Sequence, residues 1–132
     1  FEGIDVYESK SLGTVNYRAE RHGGITLPGR GIIVGEGAFS RGISPFVVKH
    51  EFGHILQARA LGYVNFYKNI GIPSLWSASF GNTHHTLWTE VWANNLSYNN
   101  FGKPSNWPTN LFPLKYSNPT KDIIRIFRSF LH

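Results

Sequence analysis

The stretch His50-Glu51-Phe52-Gly53-His54 decides how this chain is organised. It has the pattern H-E-x-x-H, in which two histidines stand four residues apart. On an α-helix such residues are separated by about 6 Å along the axis and by about 40° around it. Both imidazoles can therefore reach one point, as two ligands of a single zinc ion must. The glutamate between them projects to one side, where it can act on water as a general base without binding the metal.

The flanking residues predict a helix that begins near Pro45 and ends near Leu61. Ser44 is a good N-cap, and Pro45 suits the first helical position because its missing N–H is not needed there. Gly62 can end the helix by adopting a positive φ. One stripe of this helix should face the interior: Val47, His50, His54, Ala58 and Leu61. The alternative is a buried helix with two hydrogen-bonded core histidines and no metal.

A zinc site needs a third protein ligand, and Glu90 is the carboxylate that the sequence offers. Asp and Glu total only 8 residues, and Glu90 is the one acidic residue between Glu51 and the C-terminal segment. It belongs to residues 83–98, which predict a second helix. One face of that helix would carry Leu87, Glu90, Asn94 and Ser97. Burying a carboxylate among tryptophans is costly unless it is paired, and a metal would pair it. The alternative is an exposed glutamate on an amphipathic helix.

Two histidines from H-E-x-x-H and a glutamate from a later helix resemble the gluzincin branch of the zincin metallopeptidases. The resemblance implies that His50, His54 and Glu90 bind Zn²⁺ and that the chain is a zinc metallopeptidase. Gluzincins often have an aspartate four residues after the third ligand, and this chain has Asn94 there. Its amide oxygen can still accept an imidazole N–H from a ligand histidine. No H-x-x-G-x-x-H pattern follows His54, which excludes the metzincin branch.

A closer resemblance covers about residues 24–101. It is to small bacterial metallopeptidase domains, which occur alone and as the C-terminal tips of Rhs-type polymorphic toxins. The segments that carry it are residues 24–27, 50–57, 61–62, 71–75 and 89–94. The resemblance implies a zincin-like fold and the role of an effector, secreted or delivered into a target cell as part of a larger bacterial protein. The absence of methionine agrees with a piece of a longer chain.

Length and composition predict a single domain over residues 1–132. A hydrophobic fraction of 41% with 15% aromatic residues excludes a disordered chain. No apolar run reaches the length of a membrane span, and the lack of cysteine excludes disulfides and Cys-ligated zinc. The net charge of +5 comes from scattered basic residues, so we expect no nucleic-acid partner. The expected partners are a protein or peptide substrate and an acidic cognate inhibitor.

The order of elements predicts an α+β, zincin-like fold, with a small N-terminal β-sheet before the active-site helix and the second ligand-bearing helix. Strands are expected at residues 4–7, 14–19, 25–27 and 31–35, with a turn at residues 28–31. The resemblance to zincins implies that residues 31–35 are the sheet edge that pairs with an extended peptide substrate; the alternative is a core strand.

The C-terminal part of the chain predicts a strap and a docking helix. Four prolines over residues 102–119 forbid regular structure and favour an extended strap across the surface. Residues 121–131 then form a short helix that closes the core, or that binds a membrane. Its apolar face would carry Ile123, Ile124, Phe127, Phe130 and Leu131.

The predicted function is that of a zinc-dependent endopeptidase with Glu51 as its general base. A donor that stabilises the oxyanion should come from another segment. The candidates are His84, His85, Tyr63, Tyr67 and Tyr98. We favour His85 because it lies five residues before Glu90, near the helix start; the alternative is that His84 and His85 are exposed. The second function is a non-catalytic binding module with a structural zinc, whose fourth ligand would be His84 or His85.

Overall fold

A small sheet followed by helices gives this chain a mixed α+β fold, and the predicted α+β class is confirmed. The computed structural model describes residues 1–14, 24–36, 44–71, 88–116 and 119–131. The strands are β1 (Val6–Thr14), β2 (Gly24–Leu27) and β3 (Gly31–Glu36). The helical elements are α1 (Ser44–Leu61), α2 (Tyr63–Phe66), a π-helical turn (Tyr67–Gly71), α3 (Trp88–Asn100) and α4 (Pro119–Leu131).

β3 is the central strand of the sheet. It pairs with β1 in parallel and with β2 in antiparallel orientation. The predicted turn joins β2 to β3: Gly29 has a φ of 84°, and the N–H of Arg30 donates to the carbonyl of Leu27 at 2.8 Å. Because both sides of β3 are paired, the prediction that residues 31–35 form the substrate-binding edge is wrong. A short apolar run looks the same in a central strand and in an edge strand.

The apolar core consists of two clusters that lie along α1. The first cluster comprises Ile32, Val34, Val47, Val48, Phe52, Ile55, Trp107 and Phe112. The second cluster comprises Ala58, Leu61, Phe66, Ile70, Trp88 and Trp92. The first cluster joins α1 to the sheet and to residues 101–116, and the second cluster joins the C-terminal part of α1 to α3 and to the short helical elements that follow. The predicted interior stripe of α1, which includes both histidines, is buried.

α1 ends at Leu61 because of the backbone at Gly62, as predicted. Gly62 has φ 80° and ψ 160°, a conformation that residues with a side chain rarely adopt. Its N–H still donates to the carbonyl of Ala58 at 2.8 Å. The residues that follow form two short helical elements, which bury Phe66 and Ile70 in the second cluster. In the described parts of the chain, no helix is both long and apolar enough to span a bilayer.

Residues 101–116 contain turns but no helix or strand, as their prolines predict. They are nevertheless part of the core, and not only a strap on the surface. Trp107 and Phe112 are buried in the first cluster, and the indole N–H of Trp107 donates to the carbonyl of Phe112 at 2.9 Å. The Asn95 amide of α3 fixes the segment by donating to the carbonyl of Leu114 at 2.9 Å.

The C-terminal helix α4 does not dock through the predicted face. Ile123 and Ile124 are exposed, and Phe127 is 66% exposed. Ile126 packs against the second cluster instead. The side chains of Phe130 and Leu131 lie outside the described set. The apolar periodicity of α4 therefore predicted a helix correctly, but it did not fix how the helix is rotated against the body of the protein.

Helices α1 and α3 approach each other closely at Gly53. A Cβ atom at this position would collide with the carbonyl oxygen of Ala93 and lie 3.0 Å from its Cα. Ala93 is itself fully buried, and the hydroxyl of Ser97 on α3 donates to the carbonyl of Lys49 on α1. This contact explains a glycine inside α1, where helix propensity alone favours alanine by about 1 kcal/mol.

Replacing Gly53 by alanine should destabilise the protein, because relief of the collision requires the two helices to separate. We expect Gly53→Ala to lower the free energy of unfolding by about 1–3 kcal/mol, the usual cost of overpacking. The control is Ala60→Gly at an exposed position of the same helix, which should cost about 1 kcal/mol through helix propensity. Urea unfolding of both variants measures these effects. A gain in stability in Gly53→Ala would show that propensity, and not the helix contact, governs position 53.

Candidate metal centre

Helices α1 and α3 bring His50, His54 and Glu90 together. The Oε2 atom of Glu90 lies 3.0 Å from Nε2 of His50 and 3.4 Å from Nε2 of His54. The donor atoms of the three residues all lie within 4.8 Å of one another. Glu90 is only 2% exposed, so the alternative in which it is a surface residue of an amphipathic helix is wrong. We call these three residues the triad.

Two buried amides contact the far sides of the triad imidazoles. Asn94 Oδ1 lies 2.6 Å from Nδ1 of His50, which is the contact that the sequence predicts. Gln57 Oε1 lies 2.7 Å from Nδ1 of His54. Both amide side chains are buried, and neither adds charge to the centre. Each imidazole is thereby held between one amide and the carboxylate of Glu90.

The orientation of both amides is fixed by main-chain carbonyls. The Gln57 amide nitrogen donates to the carbonyl of Thr89 at 2.7 Å, and the Asn94 amide nitrogen donates to the carbonyl of Pro113 at 3.0 Å. Since carbonyls only accept hydrogen bonds, the nitrogen ends must point at them and the oxygen ends must point at the imidazoles. An amide oxygen also only accepts, so the Nδ1 atom of each histidine carries a hydrogen.

This tautomer makes three acceptor atoms converge in the triad. A neutral imidazole with hydrogen on Nδ1 directs the lone pair of its Nε2 atom outward, here toward Glu90 Oε2. Only a cation stabilises such an arrangement, and it is either a proton or a metal ion. In a tetrahedral zinc site with bonds of about 2.0–2.1 Å, neighbouring ligand atoms are about 3.3–3.4 Å apart. The separations of 3.0 and 3.4 Å are close to this value, so the residues fit zinc.

Aromatic side chains from both clusters enclose the triad. The ring of Phe112 stacks on His50 with a centroid distance of 5.1 Å and an interplanar angle of 27°. The ring of Phe66 meets His54 edge-on with a centroid distance of 6.3 Å. Apolar walls of this kind lower the local dielectric and strengthen every charge interaction inside the centre.

Without a metal, the charge of Glu90 sets the protonation of the triad. Burial lowers the pKa of His54, but the charge and the hydrogen bond of Glu90 outweigh burial and raise this pKa to about 9. The pKa of His50 is also raised, since the hydrogen bond and charge of Glu90 again exceed the effect of burial. Burial alone would raise the pKa of Glu90, but His54 and His50 hold it well below its usual range. A metal must therefore displace protons from the imidazoles.

Glu51 lies beside the triad but outside the group of donors that could share one ion. Its Oε1 atom is 4.0 Å from Nε2 of His50. Its Oε2 atom is 2.6 Å from the hydroxyl of Thr26 on β2, which is also 2.8 Å from the main-chain carbonyl oxygen of Glu51. The carboxylate is therefore held on one side by the sheet and presents its other oxygen on the side of the triad.

Four side chains of the centre were missed by the sequence analysis: Thr26, Gln57, Phe66 and Phe112. Gln57 stands three residues after His54, so helical spacing could have identified it. Thr26, Phe66 and Phe112 come from other segments, and no local pattern points to them. The favoured oxyanion donor, His85, and its neighbour His84 lie outside the described residues.

The tyrosine candidates for the oxyanion donor have other surroundings. The Tyr67 hydroxyl donates to the carbonyl of Pro28 at 3.3 Å. Tyr98 packs edge-on against Trp107 in the first cluster, and Tyr63 is exposed. The oxyanion role therefore stays a prediction.

The raised pKa of His54 predicts that the metal-free protein loses stability as the pH rises. A group whose pKa increases on folding, here from 6.5 to about 9, stabilises the folded state fully below 6.5, and this contribution is lost as the pH rises through 9. We expect the Tm, measured with a chelator present, to fall between pH 6.5 and 9. Glu90→Gln removes the charge that raises the pKa, so its Tm should be lower and nearly flat over this window. If the Tm of the wild type instead rose between pH 6.5 and 9, the proposed stabilisation by protonated His54 beside Glu90 would be wrong.

In comparisons with protein-family models, curated proteins and solved structures, no match to this chain was found.

Proposed function

We propose that this chain is a zinc-dependent endopeptidase with a zincin-like active site. The observation that supports this most strongly is the convergence of His50 Nε2, His54 Nε2 and Glu90 Oε2 on one point, with the Glu51 carboxylate beside it. A bound zinc ion supplies Lewis acidity and lowers the pKa of water to about 7.

Glu51 is the proposed general base. Its Oε1 atom, on the side of the triad, accepts a proton from the attacking water and then donates it to the leaving amine of the peptide. The carboxylate is only 4% exposed, so bulk water does not compete strongly for this proton. Asn94 and Gln57 keep hydrogen on Nδ1 of the histidines, which leaves both Nε2 atoms able to bind metal.

β2 takes the place of residues 31–35 as the strand proposed to pair with the substrate. It is hydrogen-bonded to β3 on one side, and among the described strands no partner occupies its other side. Its residue Thr26 touches the carboxylate of Glu51. A peptide that extended the sheet at this edge would therefore run next to the proposed base, held by main-chain hydrogen bonds that do not depend on side chains.

The alternative is a binding module that keeps zinc as a structural staple. A structural site normally has four protein ligands, whereas a catalytic site has three and an open position. In the described residues, the donor group of the triad has three members. His84 and His85, the candidates for a fourth ligand, lie outside the described residues, so the Glu51 carboxylate beside the triad is the observation that supports the peptidase. The effector role and the acidic inhibitor stay predictions from the sequence.

Glu51→Gln separates the two functions, because the amide keeps the shape of the side chain but cannot accept a proton. We expect this variant to bind zinc in the same ratio as the wild type and to lose at least about 100-fold in the rate of peptide cleavage. Glu90→Ala should lose most of its zinc. Elemental analysis of the purified proteins and mass-spectrometric digestion of a peptide library measure both effects.

The matched control is Glu36→Gln, the same chemical change at an exposed position of β3. It should leave both zinc content and cleavage unchanged. Equal cleavage by Glu51→Gln and the wild type would refute the general-base role. A zinc-loaded wild type that cleaves nothing would favour the structural-zinc module.

A further inference from the structure

Two residues of β2, Gly24 and Thr26, contact the side chain of Glu51. Residues two apart on a strand face the same side of the sheet, and here both contact Glu51 of α1. A Cβ atom at Gly24 would collide with Oε1 of Glu51 and lie 2.8 Å from its Cγ and Cδ. Gly24 thus leaves the space that the carboxylate fills, and the Thr26 hydroxyl, at 2.6 Å, tethers Oε2.

The two oxygens of Glu51 consequently have different surroundings. Oε2 faces the hydroxyl of Thr26, whereas Oε1 packs against Gly24 and lies 4.0 Å from Nε2 of His50. Thr26 is 9% exposed, so solvent contributes little to the orientation of the carboxylate. A hydrogen bond from a hydroxyl to an ionised carboxylate is about twice as strong as one between neutral groups. The contact with Thr26 is therefore able to select one orientation of the group.

We infer that Thr26 is a positioning residue that holds Glu51 with Oε1 toward the triad. The space left by Gly24 accommodates the carboxylate in this orientation. The catalytic consequence rests on the proposed function, whereas the orientation of the carboxylate is a property of the chain alone. Thr26 is not one of the three donors of the triad, and it acts through Glu51. A misplacement of about 1 Å in a catalytic group can cost about 100-fold in rate, so the tether matters for turnover.

A purely structural role for Thr26 makes different predictions. The same hydroxyl lies 2.8 Å from the main-chain carbonyl of Glu51, a contact that joins β2 to α1 whatever the carboxylate does. If that contact were its only role, loss of the hydroxyl would lower stability without moving the carboxylate. Loss of the hydroxyl would then also lower the rate of peptide cleavage by the same factor in the wild-type and in the Glu51→Gln background.

The test uses Thr26→Val, which removes the hydroxyl at similar volume, and Thr26→Ser, which retains it. Thr109→Val, the same chemical change at an exposed position outside the sheet, is the control. Crystal structures of the metal-free variants show the orientation of the Glu51 carboxylate whether or not the protein is active. We expect the Glu51 carboxylate to rotate away or to split into several conformers in Thr26→Val alone. In zinc-loaded protein, Thr26→Val should lower kcat about 10–100-fold with KM within about 2-fold, and Thr26→Ser should restore most of the rate.

In the Glu51→Gln background, Thr26→Val should cause no further loss, because a residue that acts through Glu51 has nothing left to position. An unchanged carboxylate in Thr26→Val would overturn the inference, as would losses from Thr26→Val and Glu51→Gln that multiply. If the wild type cleaves no peptide, the peptidase proposal fails, and the crystallographic result alone decides whether Thr26 positions Glu51.

Discussion

A buried carboxylate that faces two imidazoles is the constraint on which the rest of this structure depends. Glu90 is almost fully removed from water, and an isolated charge there would cost several kcal/mol. His50 and His54 make this burial tolerable, but only if α1 and α3 lie close enough for contacts of 3.0–3.4 Å. Gly53 and the main chain of Ala93 allow that approach. The packing of the two helices and the assembly of the triad are thus one requirement.

Asn94 and Gln57, the two side chains that orient the imidazoles, are neutral, so they do not change the net charge of the centre. With zinc bound, the ion and Glu90 would together carry about one positive charge, since the amides of Asn94 and Gln57 contribute none. A carboxylate in place of either amide would raise the basicity of a ligand and reduce the excess of positive charge. In the described part of the chain, Glu51 is a further carboxylate beside the centre, at 4.0 Å from His50, and Thr26 of the sheet holds its other oxygen.

The helices and the ligands of the candidate centre were largely predictable because their signals are local. The spacing of His50 and His54 and the glycine after Leu61 act within one helix, and α1 spans Ser44–Leu61, close to the predicted bounds. Glu90 was identified as the third ligand because the sequence contains few other carboxylates. The pairing of strands was not predictable, because a parallel partner such as β1 for β3 depends on contacts far apart in sequence. The same reason hid Thr26 and the ring of Phe112.

The rotation of α4 illustrates the same limit. Its apolar positions define a helix face, but which part of that face meets the body depends on the shape of the second cluster. Ile126 provides that contact, while Ile124 and Phe127 remain exposed. Patterns within one element therefore predict its type, and contacts between elements decide its placement.

We propose that one zinc ion is bound by His50, His54 and Glu90, so that two of its protein ligands are imidazoles. Zinc K-edge X-ray absorption of the zinc-loaded protein tests this directly, because imidazole rings give characteristic outer-shell scattering. We expect a shell of nitrogen and oxygen atoms at about 2.0–2.1 Å, with outer-shell scattering from two imidazoles. His54→Ala should reduce the fitted number of imidazoles to one. A shell of oxygen atoms alone, or a spectrum that is unchanged in His54→Ala, would contradict the assignment.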